Sequence, residues 1–400
     1  MVSFYTLSLV QTVDPTIRGF RIGIIANTAW NLYHFRADLI RHLRGHENKV
    51  YGIAPADGFE SRLEEICDGY EELKKLQRKG TNAFSDLALY HELVAIMKRQ
   101  QLDVVLCYTV KPNIYATLAA HRLDIPAVNT ITGLGFTFLE NRLINKVVVR
   151  LYKYALEKSS RVIFQNKDDR HLFIRKGIAK AGKTSLIRGS GIDVEKFHPK
   201  LNVLSSNEKL NFIFIGRLLY DKGVMELLQG FAKAADELNH INLHLVGDTD
   251  EGNPASVSAE DLALYHHRDD IHFHGYQENI IPYLAKSDVV ILPSYREGMP
   301  RVLLEGMSMA KPVIATSVPG CKDMVKNGVN GYLVKVKSAD EIADAITGMA
   351  RLSAEERAAM GEAGRRNVVE HYSSNAIIME YDMVLRDLMG DKKKRKSDII

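Results

Sequence analysis

The sequence has few cysteines, a small net charge and no long apolar run, and each of these shortages excludes a class of protein. Cys67, Cys107 and Cys321 lack Cys-x-x-Cys spacing, which argues against a disulfide framework or a zinc site and fits a reducing compartment. A net charge of +4 over 400 residues does not indicate a nucleic-acid-binding protein, and we expect no nucleic-acid partner. The opening MVSFYTLSLVQTV has no basic start, and its apolar run is far below the roughly 20 residues of a spanning helix. We therefore expect a cytoplasmic protein in which residues 1–20 are a short extension.

Strand-like runs alternate with helix-like segments along the chain. The first run, RIGIIA, is apolar on both faces, as buried parallel strands are. By the same criterion we predict strands at residues 21–26, 49–54, 103–108, 161–165, 211–216, 242–247, 272–275, 288–293, 312–315 and 331–334. This alternation predicts two doubly wound α/β domains.

The two domains are expected to separate near residues 190–205, where the glycines and Pro199 of IRGSGIDVEKFHPK interrupt the pattern. We assign residues 21–195 to an N-terminal Rossmann-like domain and 196–375 to a C-terminal one. Residues 376–390 are predicted to be a helix that packs back on the N-terminal domain, and 391–400 a basic tail. Ligands of such sheets bind at the carboxyl ends of the strands, so two sheets facing each other would form one deep cleft.

The segment SYREGMPRVLLEGMSMA follows a predicted strand and starts a helix with Pro300 in its first turn, because Pro300 precedes a run of good helix formers. The free N–H groups at Arg301 and Val302 suit an anion such as a diphosphate. Glu297 lies before this helix, and Glu305 lies in its second turn. Two glutamates at this spacing are common by chance, so their position at one helix start directly after a buried strand carries the prediction.

A second loop, GRLLYDKG, follows another predicted strand. Gly216 allows a sharp turn, and Arg217 and Lys222 could reach the same diphosphate. Singly, such residues are more often members of surface salt bridges. Together with the helix start, they indicate a site that stabilises a leaving diphosphate.

These two loops, with LVGD, FHGYQENIIPYLAKSDVVILP and DMVKNGVNGYLV, resemble family 4 of the retaining GT-B glycosyltransferases. The resemblance implies a GT-B fold of two Rossmann-like domains and sugar transfer from a nucleotide diphosphate. It assigns Glu297 to the transferred sugar, Glu305 to the ribose, and Arg217 and Lys222 to the diphosphate. Further donor-binding residues implied in this way are Gly216, Gly298, Met299, Pro300, Arg301 and Val302.

The family uses no catalytic metal and no cofactor, and the resemblance extends that expectation to this chain. Asp248 and Asp250 match an Asp-x-Asp pattern that can hold a divalent cation. In this sequence context we interpret them as solvated loop residues and predict no metal site.

The first half resembles bacterial enzymes that extend polyprenyl-diphosphate-linked glycans, through NTAWNLYHFRADLI and CYTVKPNIYATLAAHRLDIPAVNTITGLGFTF. This implies a polyprenyl-diphosphate-linked saccharide as acceptor, with a nucleotide sugar, most simply a UDP-hexose or UDP-N-acetylhexosamine, as donor. The predicted acceptor-binding residues are Asn27, Tyr33, His34, Arg36, Lys111 and Asn113, of which we expect Tyr33, His34 and Arg36 in a loop or in the first turn of a helix. An equally weighted alternative makes Tyr33 a core residue and Arg36 a helix surface residue.

A lipid-linked acceptor requires contact with a membrane, and residues 141–158 offer a suitable helix. Its cations recur at helical spacing beside apolar residues, which suits an anionic membrane surface. These cations are Arg142, Lys146, Arg150 and Lys153. We expect a peripheral protein on the inner face of the cytoplasmic membrane. An ordinary domain helix with a solvated basic face remains the alternative.

Two other functions share the predicted fold. A UDP-N-acetylglucosamine epimerase would act without an acceptor, and a non-catalytic sugar-nucleotide-binding protein would not act at all. The complete set of Glu297, Glu305, Arg217 and Lys222 favours an enzyme over the latter.

Overall fold

The computed structural model describes residues 17–77, 83–133, 143–202, 209–250 and 252–397, with only the backbone of residues 83, 143–146 and 391–397. Residue contacts group the chain into two compact units. The first comprises residues 1–107, 115–128 and 378–400, and the second comprises residues 108–114 and 129–377. Residues 129–195, which we predicted in the N-terminal domain, thus group with the second unit, and the domain limits stay a prediction.

Strands and helices alternate through the first half of the chain. They are β1 (Arg21–Ile25), α1 (Ala29–Gly45), β2 (Lys49–Ala54), α2 (Glu60–Ile66), β3 (Gly69–Glu72), α3 (Ala83–Arg99), β4 (Val104–Tyr108), α4 (Val110–Arg122), β5 (Ala127–Ile131), α5 (Leu143–Lys158), β6 (Arg161–Phe164), α6 (Lys167–Arg175) and β7 (Thr184–Leu186). In the described chain these strands form a seven-stranded sheet of order β3-β2-β1-β4-β5-β6-β7. β1 pairs in parallel with β2 and β4, and its last four residues are buried, as expected for a parallel strand that is covered on both faces.

The second half repeats the alternation. Its elements are β8 (Leu210–Ile215), α7 (Val224–Glu237), β9 (Ile241–Val246), α8 (Ala259–Ala263), β10 (Ile271–Phe273), α9 (Ile281–Lys286), β11 (Val289–Leu292), α10 (Arg301–Ser308), β12 (Val313–Thr316), α11 (Cys321–Met324), β13 (Gly331–Val334), α12 (Ala339–Arg351), α13 (Ala354–His371) and α14 (Ser374–Ser397). The strands form a parallel sheet of order β10-β9-β8-β11-β12-β13, which is the doubly wound order of Rossmann domains.

The core of this sheet is continuous and apolar. β8 buries Phe212 and Phe214 completely, and α7 covers the sheet with residues at the helical spacing of a buried face, including Leu227, Leu228 and Phe231. Burial of each such side chain contributes about 1.5–3 kcal/mol. The prediction of doubly wound α/β sheets from alternating apolar runs is therefore confirmed.

A cluster of histidines lies on neighbouring strands of this sheet. His244 of β9 pairs in register with His272 of β10, and its Nδ1 lies 3.0 Å from Nε2 of His274. Its Nε2 lies 3.2 Å from the side-chain oxygen of Asn211. Burial, followed by the charges of His272 and His274, lowers the pKa of His244 to about 4.

We expect the protein to lose stability as the pH falls from 6.5 towards 4, because the unfolded chain then protonates His244 while the folded chain resists it. Above pH 6.5 the stabilisation is fully present. Thermal midpoints measured across this interval should fall less steeply in His244→Gln than in the natural protein. His267→Gln, at an exposed histidine, is the control and should keep the natural slope. Equal slopes in all three proteins would contradict the expectation.

Candidate active site

Two loops of the second unit flank the point where its strand order reverses. One follows β8 and the other follows β11, and these strands are neighbours in the sheet. Ligands of open α/β sheets bind at such a point. Lys222 in the first loop donates to Oε1 of Glu297 in the second, over 2.6 Å, and their side chains are only 25% and 13% exposed. The two residues, which we predicted to lie near the same ligand, are in direct contact as a partly buried ion pair.

The approach of the two loops depends on Gly223, which precedes α7. Its φ of +71° lies in the left-handed region, and a Cβ there would collide with the carbonyl oxygen of Pro293. Two hydrogen bonds of Tyr295 also keep the two loops close together. Its N–H donates to the carbonyl oxygen of Asp221 over 2.8 Å, and its hydroxyl donates to Oε1 of Glu226 over 2.5 Å. The loops are thus fixed on both sides of the ion pair.

Helix α10 begins beside this pair. Pro300 is its N-cap, so the helix starts at Arg301, one residue later than we predicted when we placed Pro300 in the first turn. Nε of Arg301 donates to Oε1 of Glu305 over 2.9 Å, which brings this carboxylate back along the first turn. Burial raises the pKa of Glu305 even though the charge of Arg301 lowers it. Met299 and Val302 are half-buried and pack against the core of the unit.

Arg217 forms an ion pair with a neighbouring carboxylate, and its contact with a diphosphate stays a prediction. Gly216, which directly follows β8, donates its N–H to the carbonyl oxygen of Val246 over 2.9 Å, and the side chain of Arg217 is 60% exposed. Its Nη1 donates to Oδ2 of Asp250 over 2.6 Å. Asp250 is thus an ion-pair partner. Within the described ranges, no group of three or more His, Cys, Asp or Glu residues is arranged to hold a metal ion.

The Glu297 loop has further contacts on its other side, which the sequence analysis missed. Asn166 donates from Nδ2 to the carbonyl oxygen of Gly298 over 3.0 Å, and Arg296 donates from Nη2 to Oδ1 of Asp169 over 2.5 Å. A Cβ on Gly298 would collide with the carbonyl oxygen of Thr132. A signal for these residues was present, because Asn166 is the N-cap of α6 and accepts from the N–H of Asp169, a common helix-start pattern.

Family models match both halves of the chain. Residues 25–166 match a model described as glycosyl transferase 4-like, and residues 196–367 match one described as glycosyl transferases group 1. The chain is a glycosyltransferase that combines these two domain types. The second model covers both loops of the Lys222 and Glu297 pair, so the geometry above lies within the residues that it matches.

Curated relatives of the glycosyltransferase cover most of its length. An N,N'-diacetylbacillosaminyl-diphospho-undecaprenol alpha-1,3-N-acetylgalactosaminyltransferase of Campylobacter jejuni is 28% identical over 344 residues, 82% of this chain and 88% of the relative. A UDP-Gal:alpha-D-GlcNAc-diphosphoundecaprenol alpha-1,3-galactosyltransferase of Escherichia coli is 27% identical over 284 residues, 67% of this chain and 71% of the relative.

Solved structures establish the fold of the enzyme. HepE of Anabaena, in complex with UDP and glucose, superposes with a TM-score of 0.76 at 20% identity and covers 92% of this chain and 100% of its own. Sucrose-phosphate synthase of Thermosynechococcus elongatus gives 0.75 at 19% identity, with 93% and 100% covered. The predicted GT-B fold is confirmed.

The predicted acceptor residues of the enzyme divide between the two units. Asn27, Tyr33 and His34 are partly exposed in the first unit. Thr28 caps α1 through Asn31 N–H, so Tyr33 lies in the second turn rather than in a loop or first turn. These three residues, and the partly exposed Lys111 of the second unit, stay predictions.

The other two predicted acceptor residues are buried, and their acceptor role stays a prediction. Arg36 is 3% exposed, so it is not the helix surface residue of the alternative interpretation. Asn113 is 1% exposed, and its amide donates to the carbonyl oxygen of Thr130 over 3.0 Å and to the hydroxyl of Tyr152 over 2.9 Å. Its side-chain amide forms hydrogen bonds inside the fold, and no pattern in the sequence indicated these partners.

The predicted membrane helix is partly described. α5 begins at Leu143, so Arg142 lies outside the described residues, as does the side chain of Lys146, while Arg150 and Lys153 are exposed. The side chains of the basic tail also lie outside them. Among the described helices of the enzyme, none has the length and apolarity required to cross a bilayer.

Proposed function

We propose that the enzyme transfers a hexose or N-acetylhexosamine from a UDP-sugar to a polyprenyl-diphosphate-linked saccharide, with retention of anomeric configuration, in bacterial surface glycan synthesis. The observation that carries this proposal is the Lys222 and Glu297 ion pair at the switch point of the second sheet, beside the start of α10. The names of the two relatives support the choice of acceptor, since both contain a diphospho-undecaprenol.

Each part of a sugar nucleotide has a complementary group in the second unit. The ammonium of Lys222 and the free N–H groups at the start of α10 suit the diphosphate, with Arg217 as a second cation. The carboxylate of Glu297 accepts hydrogen bonds from sugar hydroxyls, and that of Glu305 from the ribose diol. As the bond from the anomeric carbon to the diphosphate breaks, negative charge grows on the leaving oxygen, where these donors stabilise it.

The new glycosidic bond forms on the face that the diphosphate leaves, which retains the configuration. The acceptor oxygen attacks the anomeric carbon, and its proton passes to the departing phosphate oxygen, so charge and atoms balance without a protein base. Fixed cations and a helix start supply the stabilisation that a metal ion provides in other enzymes, so we propose a reaction independent of metal ions and cofactors.

The test is incubation with a panel of nucleotide sugars and short-chain polyprenyl diphosphate saccharides, with and without excess EDTA, analysed by mass spectrometry. We expect one donor and one acceptor to give a product of retained configuration in both conditions. Product formed without an acceptor would indicate an epimerase, and no turnover with nucleotide binding would indicate a binding protein. Loss of activity in EDTA that manganese restores would contradict the metal independence.

The two glutamates should differ in kinetic role. We expect Glu297→Gln to lower kcat with little change in UDP affinity, because it loses the charge opposite Lys222 and the contact with the reacting sugar. Glu305→Gln should chiefly weaken UDP binding, because it loses an acceptor for the ribose. Turnover and calorimetric UDP binding separate the effects, and Glu237→Gln, at an exposed glutamate of α7, is the control. Equal loss of UDP affinity in both site variants would contradict this division.

We further propose that α5 docks the enzyme on the cytoplasmic membrane surface. The helix buries Tyr152 at 2% exposure, yet Val147 and Tyr154 are 56% and 54% exposed. With Leu151, at 36%, they follow helical spacing on one face, beside the exposed cations Arg150 and Lys153. A solvated basic face has no need of exposed apolar side chains, so this pattern favours membrane contact.

Sedimentation with liposomes tests this docking. We expect binding to require anionic lipid and to weaken with salt, because each cation near such a surface contributes about 1 kcal/mol. Replacement of Arg142, Lys146, Arg150 and Lys153 by Gln should abolish most binding. Replacement of Lys233 and Lys335, exposed cations of the second unit, is the control and should leave it intact. Equal binding to neutral liposomes would count against charge docking.

A further inference from the structure

Five rings form one contiguous aromatic surface in the first unit. We call it the aromatic platform. The Trp30 and His34 ring centroids are 4.7 Å apart, those of His34 and Phe59 5.1 Å, and those of Trp30 and Phe35 5.4 Å. Its members are Trp30, Tyr33, His34 and Phe35 of α1 and Phe59, which precedes α2.

The platform faces solvent in part and is not a core. Each of the five residues is at least partly exposed to solvent, and Trp30 is 38% exposed. By contrast, Leu32 and Leu39 on the same helix are 0% and 5% exposed and supply its buried face. Exposed aromatic surface of this kind commonly marks a binding site.

Polar contacts hold the platform in place. Asp57 accepts the backbone N–H of Trp30 at its two carboxylate oxygens, over 3.1 and 2.9 Å, which fixes the first turn of α1 against the next loop. Glu60 accepts the N–H of Asp57 and, over 2.9 Å, that of Gly58, so this loop is itself closed. The guanidinium of Arg62 lies 5.0 Å from the centre of the Phe59 ring. The rings are therefore preorganised.

The fold places this surface where ligands of α/β sheets bind. Trp30 is the second residue of α1, the helix that follows β1. Asp57 to Phe59 follow β2, the strand adjacent to β1. Both segments therefore lie at the carboxyl ends of paired parallel strands in the first unit.

We propose that the aromatic platform binds a pyranose ring of the acceptor saccharide, an inference that rests on the proposed function. One face of a pyranose carries C–H groups, which complement the negative face of an aromatic ring, while its edge carries hydroxyls. Asp57 is exposed next to Trp30 and presents carboxylate oxygens that accept such hydroxyls. A lipid tail would use the rings but not the carboxylate, so the mixed chemistry favours a sugar.

Fluorescence can test this directly, because Trp30 is the sole tryptophan among the 400 residues. The probes are a short-chain prenyl diphosphate that carries N-acetylhexosamine, the same prenyl diphosphate without sugar, and UDP. We expect the sugar-bearing probe alone to change the Trp30 emission in a saturable way. An equal change with the bare prenyl diphosphate would assign the platform to lipid and overturn the proposal.

Kinetics provide the second measurement. Trp30→Ala should raise the KM for the acceptor roughly tenfold or more, as loss of a central aromatic contact does, with the donor KM unchanged. Trp30→Phe should recover most of this loss. Phe84→Ala is the control, because Phe84 is 86% exposed in the same unit and lies outside the platform; it should change neither KM.

The outcomes separate the two proposals. Turnover with unchanged Trp30 emission and an unchanged acceptor KM in Trp30→Ala would overturn the platform and leave the proposed function. A sugar-dependent emission change without turnover on any lipid-linked acceptor would keep the platform and overturn that function. Absence of both turnover and the sugar-dependent emission change would overturn both proposals.

Discussion

Lys222→Ala is expected to lower kcat by roughly two to three orders of magnitude, the loss typical for removal of one fixed donor to a developing negative charge. Lys222 is the cation that the structure holds against Glu297, and its side chain is three-quarters shielded from water. Screening is weak in such surroundings, so the lost charge has a large effect. Arg217→Ala should act in the same direction. Steady-state kinetics with the donor and acceptor identified above provide the measurement.

Removal of Lys222 also leaves the Glu297 carboxylate without its partner, which lowers stability by about 1–3 kcal/mol. Thermal unfolding of each variant distinguishes this loss from a catalytic one, and Lys222→Arg, which keeps the charge, should keep more of the stability. Lys233→Ala is the matched control, since Lys233 forms an ion pair of equal length with Asp340 on the surface. It should alter neither rate nor stability. Natural kcat in a folded Lys222→Ala would exclude Lys222 from the site.

Gly223→Ala should destabilise the protein by about 3 kcal/mol or more, because alanine meets both an unfavourable backbone conformation and a steric overlap. The overlap is with the carbonyl oxygen of Pro293, which lies close to Gly223 where the two loops of the candidate site approach each other. Relief of the clash must separate these loops, so activity should fall with stability. Denaturant unfolding and kcat are the two measurements.

Gly275→Ala measures the conformational cost alone, so comparison with Gly223→Ala gives the steric contribution. Gly275 also has a left-handed φ, +63°, but a Cβ there would have no atom within 4 Å among the described residues. This variant should therefore lose only the conformational cost, about 1–2 kcal/mol, and keep its activity. Similar losses in the two variants would show that the contact with Pro293 is unimportant.

The strands that the sequence predicted best are those with uninterrupted apolar runs. Residues 49–54 and 331–334 were predicted to the residue, because both runs are almost entirely apolar and turn or loop residues flank them. β3 was missed because GYEE is mostly polar and only partly buried. β5 was missed because AVNTI includes Asn129, whose burial depends on distant partners, Asn113 and Ser159.

The candidate site was predictable where neighbouring strands dictate proximity. Lys222 and Glu297 follow adjacent strands of one sheet, so topology alone brings their loops together. The choice of Asp250 as the partner of Arg217 depends on side-chain rotamers, about which spacing carries no information. The contact of Asn166 with Gly298 joins residues 132 positions apart, and no local pattern encodes such a separation.

Helix α14 has a consequence for the order in which the protein can be completed. Residues 378–400 belong to the first unit, and His42 of α1 contacts Asp382 of α14 over 2.7 Å, across 340 positions of sequence. Within α14, Tyr381, Leu385 and Met389 are at most 1% exposed. Domains made first on the ribosome usually fold first. Here the first unit lacks this helix until residues 129–377 of the second unit have emerged, so the unit that starts earlier in the sequence is completed after the later one.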